Sequence, residues 1–346
     1  KGEMIGLGMV GCGWAAGEIV RAGAGLPGLE IVSVLDTDRG RAEALATKAG
    51  ATVAADVDAL LRDPKINAIY AGLPHALLPD MVQRALEAGK HVLSEKPLAL
   101  TPQEATRLGA LAEARHLKLA VFFELRRAGT VEIARRIVRE GRIGEMRVVR
   151  FRTIIDKRRD YWGAPGHLNW RASKAMAGGG VVMMNSIHQL DTVRYITGLD
   201  YVSVSGNIAT FAAPAGVDVE DAASATIGLS NGGMANLVAG AHSPGAQRAE
   251  TIEIDGTLGR LDLPDPFGDQ PLRLFADGRW TDIPVERPDS HRLMLQSFVE
   301  AVVTDGPVPA GAADAAAALF VVDGLYRSAA TGRLVQSGTS AAKVSR

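Results

Sequence analysis

An α/β domain on a parallel sheet, followed by an α+β domain with a large, mostly antiparallel open sheet, is the fold this chain predicts, on three observations. From residue 4 to about 123, short β-rich runs alternate with longer Ala/Leu/Arg/Glu segments, the pattern of successive βαβ units. Beyond 123 the strand-like runs are separated by turns rich in Gly, Asn and Asp, including Asn231-Gly232-Gly233 and Asp255-Gly256. The 346 residues hold about two domains at roughly 150 residues each, placed here at 1–124 and 125–346.

In the first domain, strands are expected at 4–10, 31–36, 51–53, 66–72, 91–94 and 119–123, with helical segments between them. Thr101, Pro102 and Glu104 read as an N-cap, a proline at the first helical position and an acidic first turn, opening a helix to about 115. The second domain opens with a helix at 129–140. Strands follow at 146–155, 201–211, 222–229, 234–240, 249–254 and 260–263. Two late helices, 291–303 and 312–330, carry apolar residues at spacings that suit a buried face, and the second is a candidate to pack back on the first domain. The alanine run at 315–318 fits high helix propensity.

The composition, 47% hydrophobic and 22% charged, is that of an ordinary globular chain, and 38 basic against 39 acidic residues leave a net charge of −1. That balance gives no general attraction to nucleic acid. Cys12 is the single cysteine, so no intrachain disulfide forms, and the chain is expected in the reducing cytoplasm, with no secretion signal ahead of the first strand. No apolar stretch reaches the ~18 residues that span a bilayer. Residues 126–174 hold 14 Lys and Arg against 5 Asp and Glu. Two readings stand: a solvated helix face around Arg135, Arg136 and Arg139 with later acids as partners, or a cleft that favours an anionic substrate.

At the end of the first strand stands Gly11-Cys12-Gly13-Trp14-Ala15-Ala16, a G-x-G-x-x-A fingerprint running into a helical segment. Gly11 permits the tight turn, Gly13 lets backbone approach a pyrophosphate, and Ala16 allows close packing of helix and strand, with the helix N-terminus toward the phosphates. The next strand ends in Asp36, 20 residues after Ala16, where a carboxylate accepts hydrogen bonds from the adenosine ribose. Asp36 favours NAD over NADP, although Arg39 and Arg41 stand near enough to offset a 2′-phosphate. The first domain is therefore expected to be a Rossmann domain holding NAD, with Thr37 and Arg41 beside the ribose. The fifth strand ends in Ser94-Glu95-Lys96-Pro97. Lys96 falls at the carboxyl edge of the sheet, where open α/β sheets bind ligands, and its ammonium can polarise a hydroxyl or hydrogen-bond the nicotinamide ribose. The competing reading is a surface lysine neutralised by Glu95.

With these motifs the chain resembles the glucose-fructose oxidoreductase, inositol dehydrogenase and MocA family. The resemblance spans nearly the whole chain and rests on Gly11-Cys12-Gly13, Asp36, Leu73-Pro74-His75, Ala88-Gly89-Lys90-His91-Val92, Glu95-Lys96-Pro97, Trp170-Arg171, Gly178-Gly179-Gly180, Ser186-Ile187-His188-Gln189-Leu190-Asp191 and Asp323-Gly324-Leu325-Tyr326. It implies a nucleotide-binding domain, a second domain whose open sheet mediates homodimers or homotetramers, and a Lys96-Pro97 peptide that is often cis. It also implies that Leu73, Pro74, His75 and Glu95 line the cofactor, that Lys96 is catalytic, and that His188 carries the proton. His188 and Asp191, three apart, share a face if that segment is helical. The chain departs from the family at Met184, where many polyol dehydrogenases carry Asp or Asn four residues before the histidine, and at Leu78, where relatives often place a histidine. Asn185 stands one position along from Met184.

Residues 161–171 combine Tyr161, Trp162, His167, Asn169, Trp170 and Arg171, aromatics for stacking on a ring and groups to hydrogen-bond hydroxyls. Only Trp170 and Arg171 transfer by motif, while Arg126 after the sixth strand matches an arginine common in the family. His167 and Asn169 also read as ordinary loop caps, and Trp162 and Trp170 as core or interface packing. No metal-binding spacing appears among the seven histidines, and there is no P-loop and no nucleophile elbow. The expected function is an NAD(H)-dependent oxidoreductase that moves hydride between nicotinamide and a secondary alcohol of a sugar, cyclic polyol or derivative. Lys96 and His188 are its catalytic pair, and Arg126, His167, Asn169, Trp170, Arg171, Asn185 and Asp191 surround the substrate. The alternatives are an NAD-binding regulator without chemistry, and an enzyme whose tightly bound NAD is recycled during elimination or hydrolysis.

Overall fold

The computed structural model describes residues 4–157, 160–164, 166–245 and 249–338. Arg158 and Arg159 of the basic segment, Pro165 of the expected substrate loop and residues 339–346 of the expected second domain lie outside the described residues. Two compact units form, one of Lys1–Arg127 with Asp289–Ala316 and one of Ala128–Pro288 with Ala317–Arg346.

The first unit holds a six-stranded parallel sheet of β1 (Ile5–Val10), β2 (Leu29–Leu35), β3 (Thr52–Val53), β4 (Ala68–Ala71), β5 (His91–Ser94) and β6 (Leu119–Val121), in the order β3-β2-β1-β4-β5-β6. Every residue of β1 and β4 is buried, as expected of parallel strands covered on both faces. The helices between them are α1 (Trp14–Gly23), α2 (Arg39–Ala49), α3 (Val57–Arg62), α4 (Leu78–Glu87) and α5 (Pro102–Ala114). Their starts are written locally: Asp38 accepts from the Arg41 N–H, Asp56 from Ala59 and Thr101 from Glu104. The strand order reverses beside β1, whose neighbours are β2 and β4, so the carboxyl ends of β1 and β4 form the switch point at which such sheets bind ligands.

The second unit begins with α6 (Gly129–Arg139) and β7 (Met146–Ile154). A loop region with the short hairpin β8 (Gly163–Ala164) and β9 (His167–Leu168), then α7 (Lys174–Ala177), precedes α8 (Ile187–Thr197). The sheet continues with β10 (Tyr201–Ala209), β11 (Ala222–Leu229), β12 (Met234–Gly240), β13 (Ala249–Gly256), β14 (Arg260–Leu263), β15 (Leu272–Ala276) and β16 (Arg279–Ile283). After α9 (Ser290–Val303) and α10 (Ala312–Thr331), β17 (Val335–Gln336) closes one edge, giving the order β16-β15-β14-β13-β7-β12-β11-β10-β17. All neighbours are antiparallel except β12 and β7, which run parallel. In β7, Val149, Phe151 and Thr153 are buried while Arg150 and Arg152 face outward.

The β15–β16 hairpin was not expected from the sequence. Its turn is Asp277-Gly278 with φ of 53° and 75°, the conformation a two-residue hairpin loop requires. Helix α9 counts with the first unit and packs on α1. Asp289 caps its N-terminus and pairs with Arg21, and the Arg292 guanidinium donates to the carbonyl oxygens of Ala22 and Ala24 at 2.9 Å, the orphaned acceptors at the end of α1. No described helix is long and apolar enough to cross a membrane.

Candidate active site

The fingerprint lies at the switch point. Gly11 has φ +94°, and a Cβ there would stand 2.2 Å from the Gly72 carbonyl oxygen, so only glycine closes this turn. Gly13 precedes α1 with φ −76° and has open space where its Cβ would point. Helix α1 has neither a side-chain cap nor an acid in its first turn, and Ala16 within that turn is buried. That leaves the first N–H groups and the positive end of the helix to an anion. The Asp36 carboxylate accepts from the Cys12 N–H at 2.7 Å and the Asp38 N–H at 2.8 Å, with Thr37 Oγ1 at 3.5 Å. Two backbone bonds thus fix it across the ends of β1 and β2, with acceptor capacity to spare for ribose hydroxyls. Arg39 pairs with Glu43 and Arg41 with Asp38, so both nearby cations are engaged. Burial and the Asp36 charge push the Cys12 thiol up to about 11, which keeps it neutral. An open cradle at Gly13, an uncapped helix start and a pre-set carboxylate fit a dinucleotide.

Trp14 is exposed, Ala15, Leu73 and Pro74 are half-buried, and His75 is buried in the short turn before α4. Lys96 follows β5 at the same sheet edge, and its peptide to Pro97 is cis. Beneath it the Tyr70 hydroxyl, from β4, donates to Glu95 Oε1 at 3.0 Å. Burial raises the Glu95 carboxyl above its usual range, and the Lys96 charge and the Tyr70 hydrogen bond pull it back only in part. Tyr70 itself is pushed up by burial and by the Glu95 charge. The sequence reading missed Tyr70, whose signal was a lone hydroxyl inside the apolar run of β4. Arg126, expected near substrate, is buried, with Nη2 3.0 Å from Asp314 Oδ1 and Nη1 donating to the Pro309 carbonyl.

In the second unit, residues 182–191 are helical as expected for a shared face of His188 and Asp191, but the helix starts with a π-helical turn, Val182–Ser186, in which the Ile187 N–H donates to the Val182 carbonyl five residues back. His188 is half-buried and Asp191 buried. Ser186 Oγ donates to Thr153 Oγ1 at 2.9 Å, Thr153 bonds Gln189, and Gln189 Nε2 reaches the Arg152 carbonyl at 2.9 Å. The residues flanking His188 are thus tied to β7. Met184 is buried, and Asn185 Oδ1 is a buried acceptor without a hydrogen-bond partner among the described residues.

The 161–171 loop folds around Trp162, which is fully buried with Ala172 and Val219, so this tryptophan is core. Asn169 caps the following turn, accepting from the Arg171 N–H and donating to the Tyr161 carbonyl. Arg171 lies over the rings of Trp170 and Tyr161, with Lys157 on Tyr161 at 3.9 Å; His167 is exposed. Elsewhere in the basic segment, Arg150 pairs with Glu253 and Asp255, Arg147 with Glu145, and Arg135 covers the Tyr195 ring.

The chain thus carries a doubly wound dinucleotide-binding unit and a second unit with a large open sheet. Residues 5–123 match the oxidoreductase family model with an NAD-binding Rossmann fold, and residues 131–262 match the C-terminal domain model of the same family. The chain belongs to the GFO/IDH/MocA family of oxidoreductases, and its first unit is the family's NAD-binding domain. It is 29% identical over 342 residues to 1,5-anhydro-D-fructose reductase of Ensifer adhaerens, covering 96% of this chain and 98% of that protein. It is 26% identical to levoglucosan dehydrogenase of Pseudarthrobacter phenanthrenivorans, over 80% of this chain and 81% of the relative. A solved levoglucosan dehydrogenase in complex with NADH and levoglucosan shares the fold with a TM-score of 0.89 at 23% identity, over 97% of this chain and 100% of that one.

Proposed function

We propose that this chain is an NAD(H)-dependent dehydrogenase acting on a secondary alcohol of a sugar, cyclic polyol or sugar derivative. The observation that carries the reading is Lys96, held at the carboxyl end of β5 beside a buried Glu95–Tyr70 pair, in the same sheet edge as a complete dinucleotide cradle. The sugar class draws on the activities of the relatives, a reductase of 1,5-anhydro-D-fructose and a dehydrogenase of levoglucosan. Gly11, Gly13, Trp14, Ala15, Ala16, Asp36, Thr37, Leu73, Pro74, His75 and Glu95 hold the cofactor, which when bound supplies a hydride acceptor at nicotinamide C4. NAD is preferred over NADP because the Asp36 carboxylate would meet a 2′-phosphate and the two nearby arginines are already paired.

Lys96 donates a hydrogen bond to the reacting oxygen and favours its alkoxide character. His188 takes the hydroxyl proton as the carbon is oxidised and returns it in reduction. Trp170 supplies a face for the ring, and Arg171, Asn185 and Asp191 supply polar contacts to its hydroxyls. Homodimers or homotetramers form through the outward face of the nine-stranded sheet, where Val238 and Met234 are 46% and 49% exposed beside the Arg150–Glu253–Arg260 ion network. A reducing, cytoplasmic setting fits the lone buried Cys12.

The test is NADH formation by the purified chain with NAD and a panel of inositols, anhydro sugars, aldoses and uronates. Lys96→Ala is expected to lower kcat by about 10²- to 10⁴-fold, with NAD affinity changed less than about threefold. Turnover equal to the parent's in that variant would refute the role given to Lys96, and a preference for uronates over neutral sugars would assign the cationic loop to substrate charge.

A further inference from the structure

The glycine run Gly178-Gly179-Gly180 ahead of the His188 helix has a cause elsewhere in the second unit. Glu220, 4% exposed just before β11, accepts the Gly180 N–H at Oε2 (2.7 Å), and the Val182 N–H and the Tyr326 hydroxyl at Oε1 (both 3.0 Å). Its own carbonyl accepts the Val181 N–H at 3.1 Å. Three successive amides at the start of the π-helical turn therefore end on one residue about 40 positions away in sequence. Close approach is why glycine is needed: a Cβ at Gly180 would lie 1.7 Å from the Glu220 carbonyl oxygen, and one at Gly179 would lie 1.9 Å from the Tyr326 hydroxyl.

We propose that Glu220, braced by Tyr326, is a positioning residue for His188, fixing the start of the helical segment so that the imidazole is held where the proton is exchanged. The consequence for proton exchange rests on the dehydrogenase reading, whereas the anchor stands on the hydrogen-bond geometry alone. An N-terminal helix turn has N–H groups with no internal acceptor, and a carboxylate there also meets the positive end of the helix. A π-helical turn is wide and poorly bonded, so its geometry depends on what holds its ends. Ser186 and Gln189 tie the later part to β7, while the start at 180–182 is held by Glu220. Burial pushes the Glu220 carboxyl up and the amide and hydroxyl donors pull it down, so the group is an expensive choice for packing alone. A glutamine can satisfy only part of this set, because its amide nitrogen must oppose one of the two backbone N–H groups.

The experiment uses the full chain with Glu220→Gln, Tyr326→Phe, His188→Ala and the Glu220→Gln/His188→Ala double variant. Glu220→Gln is expected to lower kcat about 10- to 100-fold with sugar KM and NAD affinity changed less than about threefold, since a displacement of ~1 Å at a reacting group costs that much. Tyr326→Phe keeps both amide bonds and loses about two- to fivefold. In the His188→Ala background, Glu220→Gln costs less than about twofold, whereas a residue acting only on overall folding costs the same factor in both backgrounds. Hydrogen exchange supplies the readout that needs no turnover: amides of 180–187 exchange at least about tenfold faster in Glu220→Gln, with β7 unchanged. Unchanged exchange there, or equal losses in both backgrounds, overturns the proposal. Faster exchange in a chain whose parent oxidises no sugar supports the anchor and overturns the dehydrogenase reading instead.

Discussion

The two glycines of the fingerprint should fail in opposite ways when each is replaced by alanine. At Gly11 the backbone stands at φ +94°, a region that costs an L-residue about 1–2 kcal/mol. The added methyl group would also stand 2.2 Å from the oxygen and 2.8 Å from the carbon of the Gly72 carbonyl, which are backbone atoms and cannot rotate away. Gly72 is itself fixed by its N–H to Val10, and Gly11 by its N–H to Leu35, both at 2.8 Å, so relief must part β1 from β4 or β2. Overpacking of that kind costs about 1–3 kcal/mol, and the sum is about 2–5 kcal/mol. At Gly13 the backbone is extended and the methyl group meets nothing within 4 Å, so stability should change by less than about 0.5 kcal/mol. The same methyl group fills the space through which a pyrophosphate reaches the helix start, and NAD affinity should fall at least about tenfold, or about 1.4 kcal/mol. Urea unfolding of the apo chain by circular dichroism measures the first effect. Quenching of Trp14, the single tryptophan of the first unit and 77% exposed, measures the second. The reasoning is refuted if Gly13→Ala lowers the unfolding midpoint as far as Gly11→Ala does, or binds NAD like the parent chain.

Other tests bear on the packing of the late helix and on assembly. Asp289→Ala removes both the cap of α9 and its pair with the half-exposed Arg21, and should cost about 1–2 kcal/mol at neutral pH by denaturant unfolding. Because Arg21 holds the Asp289 carboxyl below the ordinary range, that contribution is complete above about pH 4 and fades as acid protonates it, so parent and variant stabilities should converge at low pH; a gap independent of pH would show that charge plays no part. Val238→Lys on the outward sheet face should lower the molar mass measured by light scattering while leaving the circular dichroism spectrum intact, and an unchanged mass would exclude that face as the subunit contact.

What the sequence could show depended on how far apart the cooperating residues lie. Strand 91–94, the Thr101 cap and the Gly11–Ala16 fingerprint are local patterns, and each occupies its expected place. The parallel strands were legible because burial on both faces writes a continuous apolar run. β16 was not, because Arg279, Trp280, Thr281 and Asp282 are all exposed on an edge strand and no alternation marks it, although the Asp277-Gly278 turn was there to be used. The basic segment could be counted, but its meaning could not: Arg150 meets Glu253 and Asp255 across neighbouring strands more than 100 residues away. The same holds for α9, whose Arg292 caps α1 from 268 to 270 residues away.

Function followed the same division. Lys96 and His188, the proposed catalytic pair, stood out by type and motif, whereas Tyr70 and Glu220 act in that proposal only through what they hold, and their partners lie 25 and about 40 residues off. The glycines at 178–180 were visible as a motif from the start. Their physical cause, a carboxylate and a phenol pressed against the backbone, exists only once Glu220 and Tyr326 have folded onto them, so the feature that sets the His188 helix is legible in sequence as an absence of side chains and in structure as the presence of two others.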